Sequence, residues 1–201
     1  MNKSILIFSV LFIAFMNIKA QDPALKFHAG AVAGLNFSQV DGDDWASYNK
    51  VGLNAGFISE VPLSKHFFVS AEILYSQKGS KSPTYKGVPL TFKWKLNYAE
   101  IPVLINFQEK KAINFGAGLS YAQLLKAREF IEQLEQPDPT VGIGRSDIDI
   151  LANANYLITK NFQLNVRFAY SIFAIGHREN SNFKRHALYN NLLSARLMWI
   201  I

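Results

Sequence analysis

Residues 162–172, FQLNVRFAYSI, alternate without a break. Phe162, Leu164, Val166, Phe168, Tyr170 and Ile172 are apolar or aromatic, and Gln163, Asn165, Arg167, Ala169 and Ser171 between them are polar or small. A period of two marks a β-strand with two unlike faces. The alternation recurs over 27–37, 51–61, 67–78, 92–107, 113–125, 148–159 and 188–201, which makes eight strands. Within 92–107 the apolar phase changes parity, from Phe92, Trp94, Leu96 and Tyr98 to Ile101, Val103, Ile105 and Phe107. A bulge near residues 99–102, where Pro102 fits poorly in a regular ladder, would reconcile the two. The stretch 126–136, KAREFIEQLEQ, reads as a short helical excursion within a loop.

The connections are patterned as strongly as the strands. PLSKH, QEKK and TKN are short turns, and they alternate with long segments at 38–50, 79–91, 126–147 and 173–187. In an antiparallel up-and-down barrel this gathers the short turns at one rim and the long loops at the other. Outer-membrane barrels have that asymmetry, with short periplasmic turns and long extracellular loops. The even strand count then leaves both termini periplasmic. The expected fold is all-β, an eight-stranded antiparallel up-and-down transmembrane β-barrel.

The residues between the apolar ones indicate which face points inward. They include Asn36, Asn54, Ser70, Asn106, Asn114, Ser120, Asn153, Asn155, Asn165 and Ser194, and several glycines. Small polar residues suit a crowded interior, and an eight-stranded barrel has room for side chains and little else. The aromatic residues suit an apolar exterior. Phe27 and Phe37, Phe67 and Tyr75, and Phe162 and Tyr170 lie eight to ten residues apart on single strands. At about 3.3 Å per residue and a tilt near 40°, that spans roughly 20–25 Å. With Phe107 and Trp199 they outline two aromatic girdles around an apolar band. A soluble lipocalin-like barrel would have to fit these rings into one narrow interior.

Residues 1–20 read as a cleaved signal peptide: Lys3, the apolar run ILIFSVLFIAF, then Ala20 before Gln21. The run is short for a helical span of about 20 residues. The barrel domain is then 21–201. The chain has no cysteine, which excludes disulfides, thiolate metal sites, a cysteine nucleophile and lipoprotein acylation. The formal charge is +6, and Lys3 and Lys19 of the leader account for two of it. Export removes nucleic acid as a partner, whereas acidic outer-membrane lipid, lipopolysaccharide included, remains.

The stretches AGLNFSQV (33–40), VGLNAGFISEVPLSKHFFVSAEILYSQKGSK (51–81) and LNYAEIPVLINF (96–107), after a leader ending in Ala-Gln, resemble the PorT-like outer-membrane β-barrel family of Bacteroidota. The resemblance covers about residues 21–201 and rests on the Glu-Ile-Pro element and Tyr-Ser-x-Lys-Gly. It implies an eight-stranded outer-membrane barrel, and one branch of the family is tied to the type IX secretion apparatus. The terminal Trp199-Ile200-Ile201 departs from the aromatic last residue of many such barrels.

Four charges fall on the inner face: Glu72, Glu100, Arg167 and Arg196. Their positions along the strands put them at similar depth across the ring. Isolated, each would cost several kcal/mol, so a cross-lumen cluster is expected, acting as a packing plug or as a gate. His28, His66, His177 and His186 fall on different segments and suggest no metal set, and no cofactor is expected. No lipid-facing Ser–His pair stands out, so the chain reads as non-enzymatic. The basic stretches 78–86 (KGSKSPTYK) and 177–186 (HRENSNFKRH) lie on the external side, where they would meet lipopolysaccharide phosphates. The acidic stretch 126–140 is the candidate partner contact. The function expected is a structural or interaction role in the envelope, including that of an accessory to a secretion apparatus. The alternatives are a narrow, porin-like solute channel and a lipid-binding barrel.

Overall fold

The computed structural model describes residues 27–45, 47–83, 90–110, 112–136, 142–179 and 185–201; the leader lies outside them. The strands are β1 (His28–Asp41), β2 (Lys50–Pro62), β3 (Phe67–Lys78), β4 (Phe92–Lys110), β5 (Ile113–Ile131), β6 (Leu134–Glu135), β7 (Gly142–Ile143), β8 (Ser146–Leu157), β9 (Phe162–Ser171), β10 (Gly176–Glu179) and β11 (Arg185–Ile200). Eight of them form the ring, in the order β1-β2-β3-β4-β5-β8-β9-β11. An antiparallel seam from Gly30↔Ile200 to Asp41↔Tyr189 closes β11 onto β1. The remaining three are short additions at the long-loop rim.

Two of the short turns use the same device. The Ser64 hydroxyl accepts from the backbone N–H groups of His66 and Phe67 at 3.3 and 3.1 Å. The Thr159 hydroxyl does the same for Asn161 and Phe162, also at 3.3 and 3.1 Å. A side-chain oxygen two or three residues back thus stands in for a backbone acceptor.

The outward positions carry the apolar residues. Phe57, Ile73 and Ile105 are 71%, 67% and 60% exposed, while Asn36, Asn106, Asn165, Ser194 and Arg196 on the alternate parity are buried. Soluble proteins rarely leave more than a few hundred Å² of contiguous apolar surface uncovered. A soluble barrel would need the opposite arrangement.

The strand β4 corrects the expected bulge. Even-numbered residues face inward along its described length, from Trp94, Leu96 and Tyr98 through Glu100, Leu104 and Asn106. Pro102 pairs with Ser120 in regular register; on its other side the β3–β4 ladder skips two pairs without shifting. The register shifts against β5 lie between Asn97 and Tyr98, where Leu125 of β5 is looped out, and between Gln108 and Lys110. The parity change is therefore a change of environment. Below Ala99 the outside is apolar, and the inside places Glu100 and Asn106 on either side of Leu104. Above Asn97 the apolar residues are inside, and Lys93 and Lys95 take the outer face.

The helical excursion is also corrected. β5 runs on through Ile131, and Glu132 and Gln133 turn the chain with φ of 52° and 72° so that Leu134 pairs back on Ile131. Two consecutive positive φ angles form the tight turn that matches strand twist. Helix-favouring residues gave way here to the ladder with β4.

Candidate functional site in the barrel lumen

The lumen is filled, with two apolar groups along its walls. Val32, Ile58, Leu74, Met198 and Ile200 pack together on the side of β1, β2, β3 and β11. Leu104, Leu151, Ala169 and Leu192 pack on the side of β4, β8, β9 and β11. Charged and amide side chains occupy the space between.

Glu72 on β3 joins two guanidiniums from across the ring. Arg167 of β9 donates from Nη2 to Oε1 at 2.6 Å and from Nη1 to Oε2 at 3.1 Å. Arg196 of β11 donates from Nη1 to Oε2 at 2.9 Å. Arg196 also donates from Nε to the Asn165 Oδ1 at 2.8 Å and from Nη1 to the Asn54 Oδ1 at 3.3 Å. Ser194, Asn36 and Ser76 continue the network toward the long-loop rim. A forked guanidinium suits this site, because its fixed planar donors reach the Glu72, Asn54 and Asn165 oxygens on three strands.

Glu100, the fourth charge expected in this cluster, belongs to a second one. Its Oε1 accepts from the Ser120 hydroxyl at 2.9 Å, and its Oε2 is 4.0 Å from the ammonium of Lys78. Lys78, fully buried at the end of β3, donates to Asp147 at 3.2 Å and to Asp149. Asn190 donates to Asp147 at 2.8 Å, and Tyr98 lays its ring 5.1 Å from the ammonium. Lys78 therefore does not belong to the external basic loop 78–86. Its parity with Glu72 and Ser76, and that of Asp147 and Asp149 with Asn153 and Asn155, was the available signal.

Apolar and aromatic side chains close the long-loop end. Val40, Trp94, Leu96, Tyr98, Ala122, Ile175 and Leu188 form a core there. Trp45 covers it, stacked on Phe92 at 5.4 Å and tilted against Trp94 at 5.3 Å. Arg178, expected in a solvated basic loop, lies 5.2 Å over the Trp45 ring and donates to the Asp43 carbonyl at 2.7 Å. Burial holds the Asp43 carboxyl above its usual range. At the short-turn rim a cavity of about 440 Å³, lined by His28, Glu60, Lys65, Lys160 and Gln163, opens outward.

The aromatic residues fall in two groups. Phe27, Phe67, Phe107, Phe162 and Trp199 lie at the short-turn rim, with Phe67 and Phe107 centred 5.0 Å apart and Trp199 opposite Phe162. Phe37, Tyr75 and Tyr170 lie toward the other rim, where Tyr170 stacks on Tyr189 at 6.1 Å. Glu129 of the acidic stretch is buried and accepts from the Trp94 indole N–H at 3.2 Å. Asp138, Lys184 and residues 84–89 lie outside the described residues. Among the described residues no cluster has the makings of a metal site.

The backbone resembles solved barrels. The attachment invasion locus protein Ail of Yersinia pestis shares 11% identity over 88% of this chain and 100% of that one, with a TM-score of 0.50. Neisserial surface protein A shares 14% identity over 86% and 96%, with a TM-score of 0.46. At these identities the likeness to Ail speaks to fold alone. No curated protein sequence matches the chain. Residues 19–175 match the family model of the outer membrane protein beta-barrel domain, and the chain belongs to that family.

Proposed function

We propose that the chain is a non-enzymatic integral protein of the outer membrane. Its barrel is an anchor that holds strand extensions above the membrane as an interaction surface. The observation that carries this reading is the filled lumen. Glu72, Arg167 and Arg196 bridge three strands, Lys78 is locked among acids from β4 and β8, and the Trp45–Trp94 lid caps the end. These charges are committed to one another, which leaves them unsuited to conduction or proton transfer. The termini and short turns face the periplasm in this reading, and the two rings of aromatics sit at the two membrane interfaces.

Planar-bilayer recording tests it. The folded protein should give no discrete conductance steps; reproducible steps would favour the narrow solute channel instead. The finer role, as accessory to a secretion or envelope complex, is supported by the sequence resemblance and by β4 and β5, at 19 residues each. That length exceeds the roughly 9–11 residues that cross a bilayer. Copurification of envelope proteins that is lost when the β5–β6 hairpin is shortened would support it, and unchanged copurification would count against that surface.

A further inference from the structure

The reversal of polarity along β4 marks where the strand leaves the apolar layer, and three lysines gather on the outer face just above it. Lys93 and Lys95 flank Trp94 on the outer face of β4. Lys81 is the cross-strand partner of Lys93 through an isolated bridge. Lys93 holds its ammonium 5.7 Å from the centre of the Phe130 ring. Lys50, at the start of β2, stands behind them, buried on the inward parity of Gly52 and Asn54, and donates to the Val51 carbonyl at 2.8 Å. Burial, and then the positive charges of Lys93 and Lys95, push its ammonium down to about 8. A cavity of about 410 Å³ opens beside them, lined by Lys81, Thr91, Lys93, Phe130 and Gln133.

Among the described residues none of Lys81, Lys93 and Lys95 has an ion-pair partner. Of the nearby acids, Glu129 accepts from Trp94 and Glu135 is 3.6 Å from Arg128, while Glu132, whose N–H donates to the Thr91 carbonyl at 3.0 Å, makes no ion pair with these lysines. Like charges crowded in this way repel, and an anion from outside relieves the repulsion. Height narrows the choice of anion. At about 3.3 Å per residue and a tilt near 40°, Lys95 sits roughly 10 Å above Ala99. Lysine side chains snorkel along such surfaces toward the polar interface. The charge therefore lies at the level of lipid headgroups.

We propose that Lys81, Lys93 and Lys95 form a binding site for the phosphate groups of a phosphorylated glycolipid in the outer leaflet. The inference rests on the long-loop rim facing outward, as in the reading above. Lysine is a strong point-charge ligand for phosphate, and the Phe130 ring gives one wall of the cavity an apolar surface against which a sugar can rest.

The full-length protein, reconstituted in zwitterionic vesicles, would be offered a bis-phosphorylated glycolipid or its dephosphorylated form at equal mole fraction. Bound lipid would be quantified after repurification. The wild type should retain the phosphorylated form at least tenfold over the other. The variant Lys81→Gln/Lys93→Gln/Lys95→Gln should lose that preference while keeping the wild-type gel shift between unheated and boiled samples. Equal retention of both lipids by the wild type, or an unchanged preference in the variant, would overturn the site. Displacement of the lipid by millimolar inorganic phosphate would overturn the assignment to a lipid. A wild type that does not insert into vesicles would instead defeat the barrel reading on which the proposal rests.

Discussion

Replacing Glu72 with glutamine removes the one carboxylate that serves two buried guanidiniums. Arg167 and Arg196 are 3% and 1% exposed, so neither can find water in exchange. The amide keeps the shape of the carboxylate but presents an N–H₂ where Arg167 or Arg196 now donates. Stripping a buried cation of its partner costs about 3–5 kcal/mol. At about 2 kcal/mol per molar urea, the midpoint of unfolding should fall by roughly 1.5–2.5 M. The assay is reversible urea unfolding in vesicles, followed by tryptophan fluorescence and by the gel shift between cold and boiled samples. The variant Glu72→Gln/Arg167→Met/Arg196→Met should recover most of the loss, because a well-packed apolar replacement of an ion-pair network is often neutral. A loss below about 1 kcal/mol in Glu72→Gln would mean that water reaches the guanidiniums, and the filled-lumen account would then be wrong.

Three further outcomes follow from other parts of the barrel. Gly34 lies on the closing seam, where an added Cβ would meet the Ala195 carbonyl oxygen at 2.3 Å and the Arg196 Cα at 2.5 Å. Gly34→Ala should therefore cost about 1–3 kcal/mol in the same urea assay, and a neutral result would place the seam elsewhere. Glu132→Asn/Gln133→Gly relieves two left-handed residues at about 1 kcal/mol each, so amide exchange across the β5–β6 hairpin should slow; faster exchange would count against the turn. Lys50 has a folded pKa below its unfolded one, so its burial cost is fully present below about pH 8 and fades as pH rises toward the unfolded value. Between pH 7.5 and 9.5 the wild type should gain about 1–2 kcal/mol on Lys50→Met, measured as the difference between their unfolding midpoints. A difference independent of pH would remove the charge from Lys50's environment.

How much of this was legible in the sequence depends on which residues are asked. Period-two patterning located the eight ring strands because lipid on one side and a packed lumen on the other force opposite polarities at adjacent residues. Glu72, Arg167 and Arg196 were legible for the same reason, sitting alone among small polar neighbours. Lys78 was not, because it follows Tyr75-Ser76-Gln77 into a basic stretch and looks like the start of a loop. Only its partners Asp147 and Asp149, about 70 residues away, make it a lumenal residue. The β4 parity change was legible as a fact and misread as a bulge, since one strand crossing two solvents also reverses its polarity. The β5–β6 hairpin was hidden by helix-favouring residues whose conformation is set by the β4 ladder. Arg178 was hidden because nothing local announces that Trp45 lies beneath it.

Apolar residues facing lipid around a sealed polar interior can be tested position by position. The chain lacks cysteine, so single-cysteine variants report cleanly. Ile105→Cys and Val166→Cys would be compared with Ser70→Cys and Ser194→Cys, each labelled with an environment-sensitive thiol probe in vesicles containing brominated lipid. Probes at 105 and 166 should be quenched by the bromolipid, and cysteines at 70 and 194 should stay unreactive until the barrel is unfolded. Reactive, unquenched cysteines at 105 and 166, or rapid labelling at 70 and 194 in the folded protein, would contradict that arrangement.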